Sequence, residues 1–211
     1  MSDRPRRTGD PFAGIPGRRL FVGVPLPDDA AAAVVSIVDA VRGRGLPTGA
    51  RDVRWVRLDG LHLTLRFLGP TPDEMIPRAA EAVRTAARSA DGPVDLELAG
   101  TGSFPSPHRP RTLWIGIQDA TGGLTALRTG LEDALVAAGW PPDDRPFHPH
   151  LTLARADGIA VGPLVADRLA AAVGQARIAA RIEQVGLFES VTGGGPARYV
   201  PVDLARLGLG V

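Results

Sequence analysis

Apolar residues follow two different spacings along the chain, and these spacings predict an α+β protein with about eight strands and four helices. Short or alternating apolar runs indicate strands. The predicted strands lie at residues 19–25, 54–56, 61–68, 94–104, 112–117, 150–154, 177–190 and 198–204. Apolar residues three or four positions apart indicate helices, which we expect at residues 28–43, 71–89, 123–138 and 164–173. Because both kinds of element are spread evenly, the pattern favours one α+β fold.

The strand predicted at residues 61–68 has one polar face and one apolar face. Side chains two residues apart in a strand point to the same side. The polar face carries His62, Thr64 and Arg66. The apolar face carries Leu61, Leu63, Leu65 and Phe67. We therefore expect Phe67 to pack in the core and Arg66 to lie on the same side as His62.

The composition excludes several kinds of site. The 211-residue chain has a net charge of +1, four histidines, no cysteine and no lysine. Without cysteine the chain has no disulfide, thiolate zinc site, iron–sulfur cluster or cysteine nucleophile. Without lysine it has no Schiff base and no Walker-type phosphate-binding lysine. The near-neutral charge argues against a broad basic surface that coats long nucleic acids.

No apolar run approaches the roughly 20 residues that a membrane-spanning helix needs. Residues 1–18 are rich in arginine, proline and glycine, and they lack the apolar core of a secretory signal. We interpret these residues as a flexible leader. The sequence thus predicts a cytoplasmic protein with no membrane partner.

A repeated tetrapeptide is the most informative feature of the sequence. Residues 62–65 and residues 150–153 both read His-Leu-Thr-Leu, in a chain with only four histidines. Each copy begins a predicted strand. Residues 19–89 and residues 112–173 both follow the order strand, helix, strand, helix. This correspondence predicts a duplicated lobe.

If the two lobes face each other, the repeated polar side chains converge on one cleft. Alternation places His62 beside Thr64 and His150 beside Thr152. Histidine has an unperturbed pKa of about 6.5, so one imidazole can act as general base and the other as general acid near neutral pH. Threonine hydroxyls can donate hydrogen bonds to the non-bridging oxygens of a phosphate. The set suits hydrolysis of a phosphodiester without a metal or another cofactor.

A zinc site is the alternative interpretation of the same histidines. His62, His148 and His150 can supply three ligands, with an aspartate as the fourth. However, His148 and His150 share a strand face only if the strand continues through Pro149, and proline disrupts a strand ladder. No HExxH or similar metal-binding pattern is present.

The paired His-x-Thr-x motifs resemble those of the 2H phosphoesterase superfamily. The segments around them are similar to bacterial RNA 2′,3′-cyclic phosphodiesterases, also called 2′-5′ RNA ligases. These segments are residues 19–27, 55–56, 61–69, 145–155, 189–190 and 195–199. The resemblance extends over residues 19–204, and the predicted leader lies outside it.

The resemblance implies one bilobal domain, residues 19–211, in which two antiparallel β-sheets face a central cleft and helices pack outside. It implies hydrolysis of the 2′,3′-cyclic phosphate of RNA 3′ ends or small cyclic nucleotides to a 2′-phosphate. By match to the motifs, His62 and His150 would form the acid–base pair, and Thr64 and Thr152 would bind the phosphate. We favour His62 as the proton donor and His150 as the base, and we expect a monomer.

Three residues outside the tetrapeptides are further candidates. Arg155 would place a guanidinium at the phosphate, but a residue five positions after His150 reaches the same face only past a bulge or strand end. Tyr199 is expected on the floor of the cleft. Phe67 is a candidate for stacking a terminal base, although its alternation favours the core.

Two other functions would use the same residues. An RNA-end-binding module would contact phosphate through its histidines without turnover. The joining of RNA halves through a 2′-5′ bond is the reverse of the hydrolytic reaction. Because arginines would serve binding equally well, the presence of both histidines and both threonines favours an enzyme.

Overall fold

The computed structural model describes residues 16–43, 53–156, 161–193 and 196–208, which contain nine strands and four α-helices. The strands are β1 (Arg18–Pro25), β2 (Val53–Trp55), β3 (His62–Thr71), β4 (Val94–Ser106), β5 (Arg109–Gln118), β6 (His150–Ala156), β7 (Arg177–Ile182), β8 (Gln184–Val191) and β9 (Arg198–Arg206). The helices are α1 (Asp28–Gly43), α2 (Ile76–Arg88), α3 (Gly123–Ala137) and α4 (Val161–Val173). The predicted α+β class is confirmed.

The strands form two antiparallel sheets, as predicted. The first-motif sheet has the order β3-β1-β8-β9, and the second-motif sheet has the order β2-β6-β5-β4-β7. Helix α2 packs against α3, β8 and β9, whereas α4 packs against α1, β4 and β5. Within the described ranges, no helix has the length and apolar character needed to cross a membrane.

Each sheet contains strands from both halves of the chain. Strand β2 precedes the first tetrapeptide but pairs with β6, which carries the second one. Strands β8 and β9 follow the second tetrapeptide but complete the first-motif sheet beside β1. The duplicated arrangement therefore consists of two sheets that exchange strands. Because the chain crosses between the sheets more than once, the two sheets are connected to each other.

The single strand predicted at residues 177–190 is wrong, because this segment forms β7 and β8 with a break at Glu183. Strand β7 pairs with β4 in the second-motif sheet, and β8 pairs with β1 in the other. Apolar residues continue on both sides of the break, since each strand has its own core face. The sequence periodicity therefore carries no sign that the chain passes from one sheet to the other.

The second helix begins five residues later than predicted, at Ile76. Thr71 ends β3, where it pairs with Arg18, and Pro72 keeps an extended backbone with φ −57° and ψ 147°. A 3₁₀ turn follows, and Pro77 occupies the first turn of α2. Proline suits the first helical turn, so both prolines were compatible with a helix start. The pairing of β3 with β1 decides between them.

The leader predicted at residues 1–18 falls mostly outside the described residues, which begin at residue 16. Arg18 belongs to β1 and forms an ion pair with Glu189 of β8 at 2.6 Å. Its side chain thereby connects two neighbouring strands of the first-motif sheet. The ordered sheet begins one residue earlier than predicted.

Both tetrapeptide strands contain a bulge at the same position. The register of β3 with β1 shifts after Thr64 and leaves Leu65 as an extra residue. The register of β6 with β5 shifts after Thr152 and leaves Leu153 as an extra residue. An extra residue reverses the alternation of the side chains beyond it. The first seven residues of the two strands consequently share one order of buried and exposed positions.

Candidate active site

The two sheets line a cleft with a volume of about 790 Å³. The first-motif sheet contributes His62 and Thr64 to its lining, and the second-motif sheet contributes His150 and Thr152. Each of these four side chains is partly buried. The structure thus brings the four repeated polar residues into one site from opposite walls.

Both cleft histidines are oriented by the same type of hydrogen bond. The Nδ1 of His62 lies 2.8 Å from the carbonyl oxygen of Gly60, and the Nδ1 of His150 lies 2.6 Å from that of His148. A carbonyl oxygen only accepts, so Nδ1 donates in both cases. The neutral ring then leaves Nε2 as an acceptor, and the protonated ring makes Nε2 a donor. Each histidine can therefore take or give a proton at Nε2 without turning its ring.

Aromatic rings hold each imidazole from the side. His62 has Tyr199 edge-on at 4.4 Å and Phe21 at 4.6 Å between ring centroids. His150 has Phe104 edge-on at 5.0 Å, with Trp114 at 6.0 Å. Packing of this kind restricts rotation of the rings. The sequence motifs carried no signal for these supports, except that Tyr199 was expected in the cleft, where it lies.

Burial lowers the pKa of both histidines below the ordinary value. For His62 the loss of solvent is the main cause, and the hydrogen bond to Gly60 opposes it. For His150 the loss of solvent again dominates the lowered pKa, and the positive charge of Arg155 lowers it further. A buried imidazole with a cation nearby favours its neutral form. The charged neighbour distinguishes His150 from His62.

Arg155 lines the cleft because the bulge at Leu153 turns it toward the side of His150. A residue five positions after His150 reaches the same face only past a bulge or strand end, and β6 contains such a bulge. The guanidinium is exposed and donates a hydrogen bond to Thr112 Oγ1 at 3.2 Å. Burial raises the pKa of Tyr199, and the charge of Arg155 opposes that rise. Arg155 thus acts electrostatically on groups from both walls.

The bulge at Leu65 overturns two expectations from regular alternation. Phe67 does not pack in the core, because it is 49% exposed and lines the cleft. Arg66 does not share the side of His62, because it is only 2% exposed and lies on the core side. Strict alternation from His62 fails for both residues, because the extra residue shifts them by one position relative to β1.

Arg66 is the centre of a buried ionic network. Its Nη1 donates to both carboxylate oxygens of Glu132 at 2.9 and 3.0 Å, and it lies 3.3 Å from Asp143 Oδ2. Its Nη2 donates to the carbonyl oxygen of Pro141. Asp143 in turn accepts two hydrogen bonds from Arg145, each 2.7 Å long. The network ties β3 to α3 and to the loop that leads into β6.

The charged residues of the cleft are of one sign. Four arginines line it: Arg19, Arg54, Arg145 and Arg155. No aspartate or glutamate belongs to the lining within the described part of the chain. Arg54 of β2 stands directly opposite Arg155 of β6 in the sheet register. A cleft lined by one sign of charge concentrates ligands of the other sign, so the site suits an anion.

Three other ring-bearing side chains do not belong to the cleft lining. His108 is exposed in the turn between β4 and β5. Phe147 packs against the core beneath the guanidinium of Arg128, which lies 4.9 Å from its ring centroid. Trp140 is buried at 3% exposure and packs in the core.

A family model described as the 2′-5′ RNA ligase superfamily matches residues 26–194, a span that includes both tetrapeptides. The chain belongs to this superfamily. The resemblance noted from the paired motifs is therefore confirmed.

Relatives and a solved structure agree with that assignment. The chain is 39% identical to an RNA 2′,3′-cyclic phosphodiesterase of Thermus thermophilus over 65% of its own length and 68% of the relative. It is 36% identical to an RNA 2′,3′-cyclic phosphodiesterase of Aeropyrum pernix over 57% of its own length. That alignment spans 64% of the relative, slightly under two thirds of its length. Escherichia coli LigT complexed with 3′-AMP matches with a TM-score of 0.66 and 27% identity, over 90% of this chain and 98% of the other.

The described residues provide no set of ligands for the zinc site considered as an alternative. Among the residues that the structure describes, no three histidine, cysteine or acidic side chains are grouped so that they could hold a metal ion. His62 and His150 lie on different sheets, and their Nδ1 atoms are already bonded to carbonyl oxygens. His148 contributes its carbonyl oxygen to the site.

The lowered pKa of the two histidines predicts a pH dependence of stability. In the folded chain these groups bind a proton less readily than in the unfolded chain, so the unfolded state takes up more protons below about pH 6.5. Stability is therefore fully present above that pH and is lost as the pH falls. We expect a loss of up to about 1.4 kcal/mol per pH unit for each histidine. Urea unfolding between pH 7.5 and 5.5 measures it.

Substitution separates this effect from general acid unfolding. His62→Gln should reduce the slope of unfolding free energy against pH. Equal slopes in the wild type and in His62→Gln would contradict the assigned effect of burial.

Proposed function

We propose that this protein is a hydrolase that opens the 2′,3′-cyclic phosphate at RNA 3′ ends to a 2′-phosphomonoester. We infer that His62 and His150 are its acid–base pair. The observation that carries the proposal is the arrangement of two histidines on opposite walls of one cleft, each with Nδ1 bonded to a carbonyl oxygen and Nε2 left for a ligand. The relatives named as cyclic phosphodiesterases support the choice of substrate.

The reaction requires one proton acceptor and one proton donor. Nε2 of His150 takes a proton from water as the water oxygen bonds to phosphorus. The bond from phosphorus to the 3′ oxygen breaks, and Nε2 of protonated His62 gives that oxygen a proton. Phosphate remains on the 2′ oxygen, so atoms and charge balance. This division of work uses general acid–base catalysis on both sides of one phosphorus.

The charges around the histidines support this assignment. Arg155 lowers the pKa of His150 and so favours the neutral base. No cation is among the causes that lower the pKa of His62. An anionic cyclic phosphate between the histidines favours protonation of His62. The arginine-lined cleft supplies the attraction that brings the anion there.

Thr64 and Thr152 are proposed to donate hydrogen bonds to the non-bridging oxygens, and Arg155 to balance their charge. Replacing either threonine by alanine should lower kcat/KM by about 5- to 150-fold, since a hydrogen bond to a charged group contributes about 1–3 kcal/mol. Serine at the same position keeps the hydroxyl and should retain most of the activity. Full activity of both alanine variants would disprove the phosphate-binding assignment.

The experiment that tests the function is incubation of the protein with a nucleoside 2′,3′-cyclic phosphate in the presence of EDTA. The expected product is the nucleoside 2′-phosphate. Binding without turnover would favour the RNA-end-binding module instead. Turnover that EDTA abolishes would favour the zinc site. An RNA with a 5′ hydroxyl, added to a cyclic-phosphate end, tests whether the same groups also join RNA halves.

Several expectations rest on the sequence and stay predictions. We propose that residues 19–211 form the catalytic unit and that the leader at residues 1–18 is not part of the site. A cytoplasmic location, a monomeric state and independence from cofactors also stay predictions. Gel filtration with light scattering tests the monomer, and a chain that begins at residue 16, which keeps Arg18 of β1, tests the leader.

A further inference from the structure

One arginine of the cleft is held by a carboxylate that is itself largely buried. Arg145 lies in the loop before β6 and lines the cleft, and its side chain is 62% exposed. Its Nε and Nη2 donate to the two oxygens of Asp143, each at 2.7 Å, although the Asp143 side chain is only 9% exposed. In the surface pair of Arg181 with Asp95, both side chains are exposed, at 57% and 66%. Burial of its acidic partner therefore distinguishes Arg145 from an arginine in an ordinary surface pair.

The loop that carries Arg145 is fixed to the rest of the fold. Oδ2 of Asp143 lies 3.3 Å from Nη1 of the buried Arg66, and the backbone N–H of Asp143 donates to Glu132 at 2.6 Å. The carbonyl oxygen of Pro141 accepts a further hydrogen bond from Arg66. A side chain that is held in place before a ligand arrives loses less conformational entropy on binding. The guanidinium of Arg145 is therefore preorganised although it is exposed.

The bond to Asp143 leaves Arg145 with hydrogen-bond donors for a ligand. An arginine side chain carries five N–H donors, and Asp143 accepts from two of those of Arg145. The other three, on Nη1 and Nη2, make no hydrogen bond within the ranges that the structure describes. A guanidinium presents its donors in a fork that matches two oxygens of a phosphate. Arg145 can therefore bind an anion in the cleft while Asp143 holds its side chain.

Arg145 is not the cation that acts on the histidines. The charge of Arg155 lowers the pKa of His150 and opposes the rise in the pKa of Tyr199. The charge of Arg145 is not among the causes that shift the pKa of His62 or of His150. Arg155 is therefore the cation beside a phosphate held between the histidines, and Arg145 is available to a second anionic group.

We propose that Arg145 binds the phosphodiester on the 5′ side of the RNA 3′-terminal nucleotide. This inference rests on the proposed function, since it places the cyclic phosphate of that nucleotide between His62 and His150. The phosphodiester that joins the terminal nucleotide to the preceding one is its other anionic group. Asp143 acts through Arg145 as a positioning residue. A free nucleoside 2′,3′-cyclic phosphate lacks this second phosphate, so the cleft selects the end of an RNA chain over a cyclic mononucleotide.

The test compares two ligands that differ only in the charge of one linkage. A dinucleotide that ends in a 2′-phosphate is titrated calorimetrically, with either a phosphodiester or an uncharged methylphosphonate between its two nucleosides. The wild type should bind the phosphodiester ligand about 3- to 30-fold more tightly, which is less than a buried charged hydrogen bond provides because the guanidinium is exposed. Arg145→Met should lose most of this preference and should bind the methylphosphonate ligand as tightly as the wild type does.

The matched control is Arg181→Met, which removes an exposed arginine that also pairs with an aspartate but does not belong to the cleft lining, and which should keep the full preference. Arg145→Gln is a second uncharged variant and should give the same result as Arg145→Met. Both should fold, because Asp143 keeps its contact with Arg66.

Three results would overturn the inference: no preference in the wild type, an unchanged preference in Arg145→Met, or equal weakening of both ligands by that substitution. Turnover of the two corresponding cyclic phosphates is measured separately. Absence of turnover in the wild type contradicts the proposed function, whereas the preference for the charged linkage is read from binding alone.

Discussion

Replacing His62 or His150 by alanine is expected to lower kcat on a nucleoside 2′,3′-cyclic phosphate by about 10²- to 10⁴-fold each. Each substitution removes one of the two groups that carry protons at phosphorus, and the other group cannot serve both sides of an in-line displacement. Steady-state kinetics with product identification measures the loss. A near wild-type kcat in either variant would show that the replaced histidine does not transfer a proton in the reaction.

The pH profile distinguishes the two histidines. The base must be neutral, so the rate rises as the pH increases through its pKa, and the acid must be protonated, so the rate falls through its pKa. His150→Ala should therefore lose the acidic limb of the kcat profile. His62→Ala should lose the alkaline limb. The opposite pattern would exchange the two assignments.

His148→Ala is the matched control for these variants. Its side chain is exposed, and the contact that orients His150 comes from its backbone carbonyl oxygen, which accepts a hydrogen bond from Nδ1 at 2.6 Å. The His148 ring lies 6.2 Å from that of Phe104, and its charge makes only the smallest contribution to the lowered pKa of His150. Alanine keeps that carbonyl oxygen. We therefore expect His148→Ala to retain wild-type kcat and thermal stability, which excludes a general effect of histidine removal in this segment.

Replacing Arg66 by methionine is expected to destabilise the fold by about 3–5 kcal/mol. Methionine fills much of the same volume but leaves the carboxylates of Glu132 and Asp143 without the guanidinium that pairs with both. Their side chains are only 17% and 9% exposed, so water replaces the lost partner poorly. Urea unfolding followed by circular dichroism measures the change.

Arg88→Met is the matched control, because Arg88 also pairs with a glutamate, Glu81, at 2.7 Å, but on an exposed surface. Exposed pairs of this kind contribute about 0–1 kcal/mol. Similar destabilisation in the two variants would contradict the importance of burial in the Arg66 network. In a double-mutant cycle, Glu132→Gln should cost less in the Arg66→Met background than in the wild type, since the two residues share one interaction.

The sequence indicated the candidate catalytic residues because the His-Leu-Thr-Leu motif occurs twice. The two His-Leu-Thr-Leu segments alternate correctly up to the threonine, so His62, Thr64, His150 and Thr152 were placed on the cleft side. The two positions just beyond were assigned to the wrong sides, Arg66 to the cleft and Phe67 to the core. A single extra residue reverses their alternation, and the hydrogen-bond register that creates it belongs to the neighbouring strands β1 and β5.

The same limit explains the errors in the elements. Glu183 interrupts what periodicity presents as one strand, because β7 and β8 have different partners in different sheets. Pro72 and Pro77 both suit the start of a helix, and only the pairing of Thr71 with Arg18 extends β3 far enough to exclude the earlier start. Local preferences allowed both solutions in each case, and contacts distant in the sequence selected one.

The sequence by itself determined the α+β class, the two motif strands and the four side chains that converge on the cleft, because alternation and repetition are local properties of the chain. Only the tertiary structure decided the bulges, the exchange of strands between the sheets, the burial of Arg66 and the exposure of Phe67. Those features depend on the register between strands that are far apart in the sequence, and the side-chain pattern of one strand does not contain that register.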